Sequence, residues 1–187
     1  IIVPEALTFQ WFVELIRRFT LQFTVLDEER CVQIEQDNAS EFEEDVTPLD
    51  NPFDAQQWML CSLPLFTQNI KRLEQVMDTD WDLVVVDEAL RLRWEPNDAS
   101  IEYQIIESIS KISKGLLLLA ATPEQLGRAG HFARLRLLDP NRFHSYKEFL
   151  EEESRFEDVA ESVRLLLEGS PEEQATARAS MGSNRND

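Results

Sequence analysis

The sequence predicts an α/β fold, a mostly parallel sheet flanked by helices, and two stretches carry most of that expectation. Leu83, Val84, Val85 and Val86 form an aliphatic run suited to a strand buried on both faces, and Asp87 and Glu88 follow where that strand should end. Leu116, Leu117, Leu118 and Leu119 form a second apolar run, closed by Ala120, Ala121, Thr122 and the helix-breaking Pro123. A helix-length segment separates the two. In open α/β sheets ligands bind beyond the carboxyl ends of the strands, so Asp87 and Glu88 would face such a crevice. A strand followed by a solvated acidic turn accounts for the same two residues without a ligand.

The remaining elements alternate in the same way. Residues 1–4 read as the end of a strand, with Pro4 in its exit turn. Between 7 and 19, Trp11, Phe12, Leu15, Ile16 and Phe19 recur at helical spacing and are assigned to the core. Arg17 and Arg18 stand near the C-terminus of that helix, where its dipole favours cations. Residues 23–26 read as a short strand, and 35–54, with its acids, Asn, Ser and two prolines, as a long acidic surface loop. A strand over 58–62 and a helix over 64–77 lead to the 83–86 strand. Ile101, Ile105, Ile109 and Ile112 line the next helix, for which Ser100 is the N-cap. Beyond the 116–119 strand, short helices are expected over 131–138 and 145–153. A last amphipathic helix then carries Phe156, Val159, Val163, Leu166 and Leu167 and ends near Gly169. Residues 170–187 are polar and small and are expected to be disordered.

Composition narrows the function classes. At 187 residues the chain can bury one good core, and no apolar run approaches the length needed to span a bilayer. The start carries neither a secretory signal nor an initiator methionine, so the chain is expected to begin inside a larger protein. Cys31 and Cys61 are isolated and read as reduced structural thiols of a cytoplasmic protein. The net charge of −18 disfavours nucleic acid through the average field. The acid excess is local: residues 32–57 hold eight acids and no Lys or Arg, whereas 128–147 is mildly basic, so any nucleic-acid contact would be patchwise.

Three blocks carry a resemblance. Ile1, Val3, Pro4, Glu5, Gln10 and Trp11, then Asp82 through Val86 with Asp87, Glu88 and Ala89, then Leu119, Ala120, Ala121, Thr122 and Pro123 resemble motifs Ia, II and III of the SWI/SNF-type superfamily-two helicase-like ATPases. Residues 122–127 and 131–144, from Thr122-Pro123-Glu124 to Arg142-Phe143-His144, are similar to a bacterial RNA-polymerase-associated branch of that family. The resemblance runs from residue 1 to about 169. It implies a partial first RecA-like domain of the P-loop NTPase type, incomplete because the P-loop strand is absent. It also implies an ATP-driven motor with Mg²⁺ as cofactor, working in the bacterial cytoplasm on DNA and on RNA polymerase, whose release and recycling it promotes. In that setting Asp87 holds Mg²⁺ through water and Glu88 positions the attacking water. Pro4, Glu5, Gln10 and Trp11 belong to the motif that contacts DNA, with the helix N-terminus against a phosphate. Ala120 and Thr122 belong to the motif that couples the nucleotide and DNA sites. By the residue pattern itself, Trp11 reads mainly as core.

The departures from the family pattern are specific. No Gly-x-x-x-x-Gly-Lys-Thr/Ser occurs in the sequence, the family's DEAH histidine is Leu90, the first threonine of motif III is Ala120, and the hydroxyl early in motif Ia is Ala6. Each removes a polar group that would bond phosphate or link the two sites. ATP hydrolysis is therefore expected of the longer protein and not of this chain alone. A non-catalytic RNA-polymerase interaction module, or a truncated, degenerate gene product, stays open as the alternative. A stand-alone Mg²⁺ phosphohydrolase on Asp87 lacks a second acidic ligand. Without a P-loop strand, residues 116–119 are expected to form an unpaired hydrophobic edge that leaves the chain marginal or aggregation-prone. His131 and His144 read as surface or capping residues, and Arg134, Arg136 and Arg142 as structural or polymerase-facing. Arg91 and Arg93 read as ordinary loop arginines.

Overall fold

The computed structural model describes residues 1–40, 51–121, 127–170 and Gln174. Its strands are β1 (Ile2–Val3), β2 (Thr24–Leu26), β3 (Met59–Ser62), β4 (Val84–Val86), β5 (Trp94–Glu95), β6 (Asp98–Ala99) and β7 (Leu116–Leu118). Five of them form one sheet in the order β2-β3-β1-β4-β7, and every pairing in it is parallel. The expected α/β fold is therefore present, with the acidic pair following a strand that has a neighbour on each side. β5 and β6 make a separate antiparallel ribbon, which the sequence reading did not anticipate.

The helices are α1 (Thr8–Phe19), α2 (Glu28–Ser40), α3 (Pro64–Thr67), α4 (Ile70–Met77), α5 (Ile101–Ile112), α6 (Gly127–Leu138) and α7 (Tyr146–Glu168). Register assigns the sheet faces. Ile2, Cys61, Val84, Val86, Leu116 and Leu118 share one face, since each is paired directly with another of the set. Ile2, Cys61 and Val84 meet Phe66 of α3, Val76 of α4 and Ile109 of α5 there. On the opposite face Val3 and Leu60 are buried and α1 packs on β3, while Val85 is half-buried and Leu117 is 46% exposed. β7 pairs only with β4 among the described residues, so it is the hydrophobic edge strand that was expected.

Several boundaries move. Residues 35–40, assigned to the acidic loop, belong to α2, while 41–50 lie outside the described residues. The single helix expected over 64–77 is two, because Asn69 is extended and caps α4 with its side-chain oxygen on the Lys71 N–H. Leu83 is 57% exposed and precedes the strand instead of opening it. In the α1 stripe only Leu15 is fully buried; Trp11 and Phe12 are half-buried and Ile16 and Phe19 exposed, so the stripe is a rim of the core more than its centre. Ser100 caps α5 as expected, accepting from the Tyr103 N–H at 3.2 Å. Of the expected α5 stripe, Ile105 and Ile109 are buried and Ile101 is exposed. Burial raises the Cys31 and Cys61 thiols to about 11, so neither is a thiolate at neutral pH.

The described residues from Asn141 onward belong to a second compact unit. The two helices expected over 145–153 and 156–167 are one, α7, started by the Ser145 cap, because nothing between Glu153 and Phe156 breaks a helix. Phe156, Val159, Val163 and Leu167 of α7 are exposed. Residues 171–187 lie outside the description except for Gln174, and the disorder expected there with them. Among the described residues no helix is long and apolar enough to cross a membrane.

A buried cation fastens α2 to α4. The Arg72 side chain is 1% exposed; it donates from Nη2 to Glu28 Oε1 at 2.7 Å and from Nη1 to Glu35 Oε1 at 2.5 Å. Burial pushes the Glu35 carboxyl up, but hydrogen bonds from Arg72, Lys71 and Gln75 outweigh it and hold it at about 2. Removing Arg72 takes away the buried charge and leaves Glu28 and Glu35 partly open to solvent, at 49% and 19% exposure. Replacing Arg72 with Leu should therefore cost about 1–3 kcal/mol in urea unfolding at neutral pH. The Glu35 contribution is complete above its ordinary value of 4.5 and is lost as pH falls towards about 2, and that slope should be shallower in the Arg72→Leu chain, where only Lys71 and Gln75 still bond Glu35. The exposed edge gives a second expectation: Leu117→Lys should raise the monomer fraction in size-exclusion chromatography at micromolar concentration. An unchanged profile would show that the edge does not drive association.

Candidate functional site

The site begins where β4 stops. Val86 pairs with Ile2 of β1 and Leu118 of β7, and the three backbones keep bonding past the strand ends. The Asp87 N–H donates to Ile2 O at 2.9 Å, the Leu119 N–H to Val86 O at 2.8 Å, and the Ala89 N–H to Leu119 O at 2.9 Å. Asp87 and Glu88 are thus held at the carboxyl ends of three adjacent parallel strands, the location where such sheets bind ligands.

Both carboxylate oxygens of Asp87 accept a hydrogen bond. Oδ1 accepts the Glu88 backbone N–H at 2.8 Å, and Oδ2 accepts the Trp11 indole Nε1–H at 2.7 Å. Glu88 itself lies at φ 51°, ψ 41°, in the left-handed region where a non-glycine residue is uncommon. A 3-10 turn, Ala89–Arg91, follows immediately and is closed by the Arg91 N–H on Glu88 O at 2.9 Å. Asp87 and Glu88 are both half-buried.

Arg134 of α6 secures that turn. Its guanidinium is buried and donates to the carbonyl oxygens of Ala89, Leu90, Leu92 and Gly130 at 2.6–3.1 Å. Burial lowers its pKa from the ordinary arginine value. The carbonyls at the end of a 3-10 turn carry partial negative charge, so a cation is the favourable donor for them. Aromatic packing backs this contact: Trp94 meets Phe132 of α6 at 5.1 Å between centroids, and the Tyr103 hydroxyl donates to Ala133 O at 3.1 Å.

The other sequence-derived residues distribute as follows. Pro4 and Glu5 lie just beyond β1; the Pro4 carbonyl accepts the Leu7 N–H at 2.8 Å, and Glu5 is exposed. Gln10 is exposed on α1, whose first residue follows a 3-10 turn, Glu5–Leu7, with no side-chain cap. Ala120 is exposed one residue beyond Leu119, and Thr122 lies outside the described residues. Leu90 takes part through its backbone carbonyl. Arg93 pairs with Asp98 at 2.7 Å, and Arg136 lies 3.2 Å from Glu107. His144 sits at the start of α7, 3.3 Å from Glu148. Among the described residues no group of three or more His, Cys, Asp or Glu side chains is placed to hold a metal.

Two contacts were not visible in the sequence. Trp11 and Asp87 are 76 positions apart, and Arg134 and Ala89 are 45. Helical spacing assigned Trp11 to an apolar stripe, and nothing in a one-dimensional pattern pairs its ring nitrogen with a distant carboxylate.

No protein-family model matches the chain. It is 50% identical over 169 residues to the RNA polymerase-associated protein RapA of Vibrio atlanticus, and 50% and 48% identical over the same length to the RapA proteins of Photobacterium profundum and Vibrio parahaemolyticus. Each comparison covers 90% of this chain and 16% of the relative's length.

The two arginines of α6 should behave differently on substitution. Arg134→Met leaves several buried carbonyls without a donor, each costing about 1–3 kcal/mol, and should lower stability by roughly 3 kcal/mol or more. Arg136→Ala removes a partly exposed ion pair and should cost no more than about 1 kcal/mol. Urea unfolding followed by circular dichroism compares them directly, and equal losses would contradict the assigned role of Arg134.

Proposed function

We propose, taking as premise that this chain is homologous to a segment of the RNA polymerase-associated protein RapA, that it forms part of the first RecA-like domain of an ATP-driven motor acting on DNA and on RNA polymerase. The observation that carries the reading is the acid pair at the carboxyl end of an interior parallel strand. Asp87 is oriented by two hydrogen bonds, and Glu88 is held in a left-handed turn. Residues 1–169 are the domain part, and the stretch from 170 onward is a tail.

The donor set fits Mg²⁺ in one way only. With no cluster of carboxylates among the described residues, an all-protein cage is absent, but Mg²⁺ retains waters and is commonly held by one carboxylate together with nucleotide phosphates. Each oxygen of Asp87 keeps a lone pair beyond the hydrogen bond it accepts, which suffices for a water-mediated contact. When bound, ATP and Mg²⁺ supply the phosphoryl group and neutralise the charge that develops on its oxygens. Glu88 orients the attacking water and takes up its proton. Its left-handed backbone is held on one side by Asp87 Oδ1, which accepts its N–H, and on the other by its own carbonyl, which accepts the Arg91 N–H. Pro4, Glu5, Gln10 and Trp11 form the DNA-facing motif, and Ala120 and Thr122 the link between DNA and nucleotide.

The alternative, a non-catalytic polymerase-binding segment, is favoured by Leu90, Ala120 and Ala6, which lack the polar groups of the family pattern. One experiment separates the two. The segment is placed in full-length Vibrio atlanticus RapA in exchange for the homologous stretch, and ATP hydrolysis and RNA polymerase binding are measured beside the unmodified protein. The motor reading expects hydrolysis that Glu88→Gln reduces by about 100-fold or more, while polymerase binding persists. Polymerase binding with no hydrolysis above the Glu88→Gln background would establish the non-catalytic reading.

A further inference from the structure

The Trp11–Asp87 hydrogen bond joins two residues to which sequence reasoning gave separate roles. A buried or half-buried tryptophan usually satisfies its ring N–H with a nearby backbone carbonyl or water; Trp81, for instance, donates to Val76 O at 2.9 Å. Trp11 instead reaches from α1 across the end of β1 to a carboxylate oxygen at 2.7 Å, the short end of the range for a hydrogen bond to a charged acceptor. Among the described residues Asp87 has no Lys or Arg partner.

We infer that Trp11 is a positioning residue for Asp87: its neutral N–H fixes the plane of the carboxylate without cancelling the charge. The inference rests on the reading of Asp87 as the carboxylate that holds a divalent ion. The terminal torsion of an aspartate is broad, and the Glu88 N–H, arriving from the adjacent peptide, anchors only one oxygen. A donor from a different element, on the second oxygen, stops the remaining rotation. Its chemistry matters as much as its place. An arginine or lysine there would orient the carboxylate equally well, but would form an ion pair and weaken its attraction for a cation. An indole contributes a dipole and no net charge. Partners that orient directly coordinating side chains govern metal affinity by about 10–100-fold, and a carboxylate that holds the ion through water takes the lower end of that range. The arrangement also explains why the α1 stripe is half-buried at this position. The Trp11 ring N–H meets Asp87 just beyond β4, whereas Leu15, one turn later, is the residue of this helix that is buried.

The test uses the full-length chimera and a readout other than turnover. Mn²⁺ replaces Mg²⁺, and its affinity in the presence of a non-hydrolysable ATP analogue is measured by electron paramagnetic resonance. Trp11→Phe keeps an aromatic ring and removes the donor; Mn²⁺ affinity should fall about tenfold, and kcat for ATP should fall while KM stays within about twofold. The isosteric benzothienylalanine at position 11, with sulfur in place of the N–H, should reproduce that loss even if phenylalanine disturbs packing. Leu15→Ala, a packing change on the same helix, should lower Tm and leave Mn²⁺ affinity unchanged. If Asp87→Asn weakens Mn²⁺ binding and both Trp11 variants bind as the parent does, the positioning role is overturned and the metal reading stands. If Asp87→Asn itself leaves Mn²⁺ affinity unchanged, the metal reading fails and the inference fails with it.

Discussion

Parallel pairing of β4 with β1 on one side and β7 on the other determines where the acidic pair can be. A strand in that interior position must be apolar along its length, so its first polar residues fall where the sheet ends. Val84 and Val86 are buried and Asp87 and Glu88 are not fully so. The backbone bonds from Asp87 to Ile2 and from Ala89 to Leu119 carry the order of the sheet beyond its strands, as far as Ala89 on the β4 side. That continuation fixes the Asp87 backbone and the entry to the turn, and every contact discussed for the site starts from it.

Two buried guanidinium groups solve different problems in this frame. Arg72 is neutralised by the carboxylates of Glu28 and Glu35, and it ties two surface helices together at a distance from the acid pair. Arg134 is satisfied by carbonyl oxygens, and these belong to the turn that follows Glu88. A carboxylate partner for Arg134 would satisfy its charge but leave those carbonyls unbonded. The choice of acceptor thus links α6 mechanically to the left-handed residue. In a protein of net charge −18, both cations sit where the backbone or the acids need a counter-charge, and neither is spent on the surface.

Much of the frame was legible in the sequence because it depends on local pattern. The strand ending at Val86, the strand expected over 116–119 and found over Leu116–Leu118, the Ser100 cap and the edge position of β7 follow from apolar runs, hydroxyl residues before helices, and the missing neighbour. Boundaries failed where one residue decides: Asn69 splits a helix by turning its side chain into a cap, and the acids of 35–40 sit on a helix because Glu35 has a buried arginine to meet. The candidate site was legible only in its acid pair. Trp11 and Arg134 were both named from the sequence, yet their partners lie in other elements, and neither helical periodicity nor charge runs encode which carboxylate or which carbonyl a side chain will reach.

The chain contributes an oriented acid pair and no glycine-rich phosphate cradle, so the motor reading requires that the cradle be encoded in the same reading frame. Sequencing the source DNA on both sides of this stretch tests that requirement most directly. The motor reading expects, upstream, a strand followed by Gly-x-x-x-x-Gly-Lys-Thr/Ser, and, downstream, a second RecA-like domain. An in-frame stop or unrelated sequence upstream would contradict it and leave the non-catalytic reading.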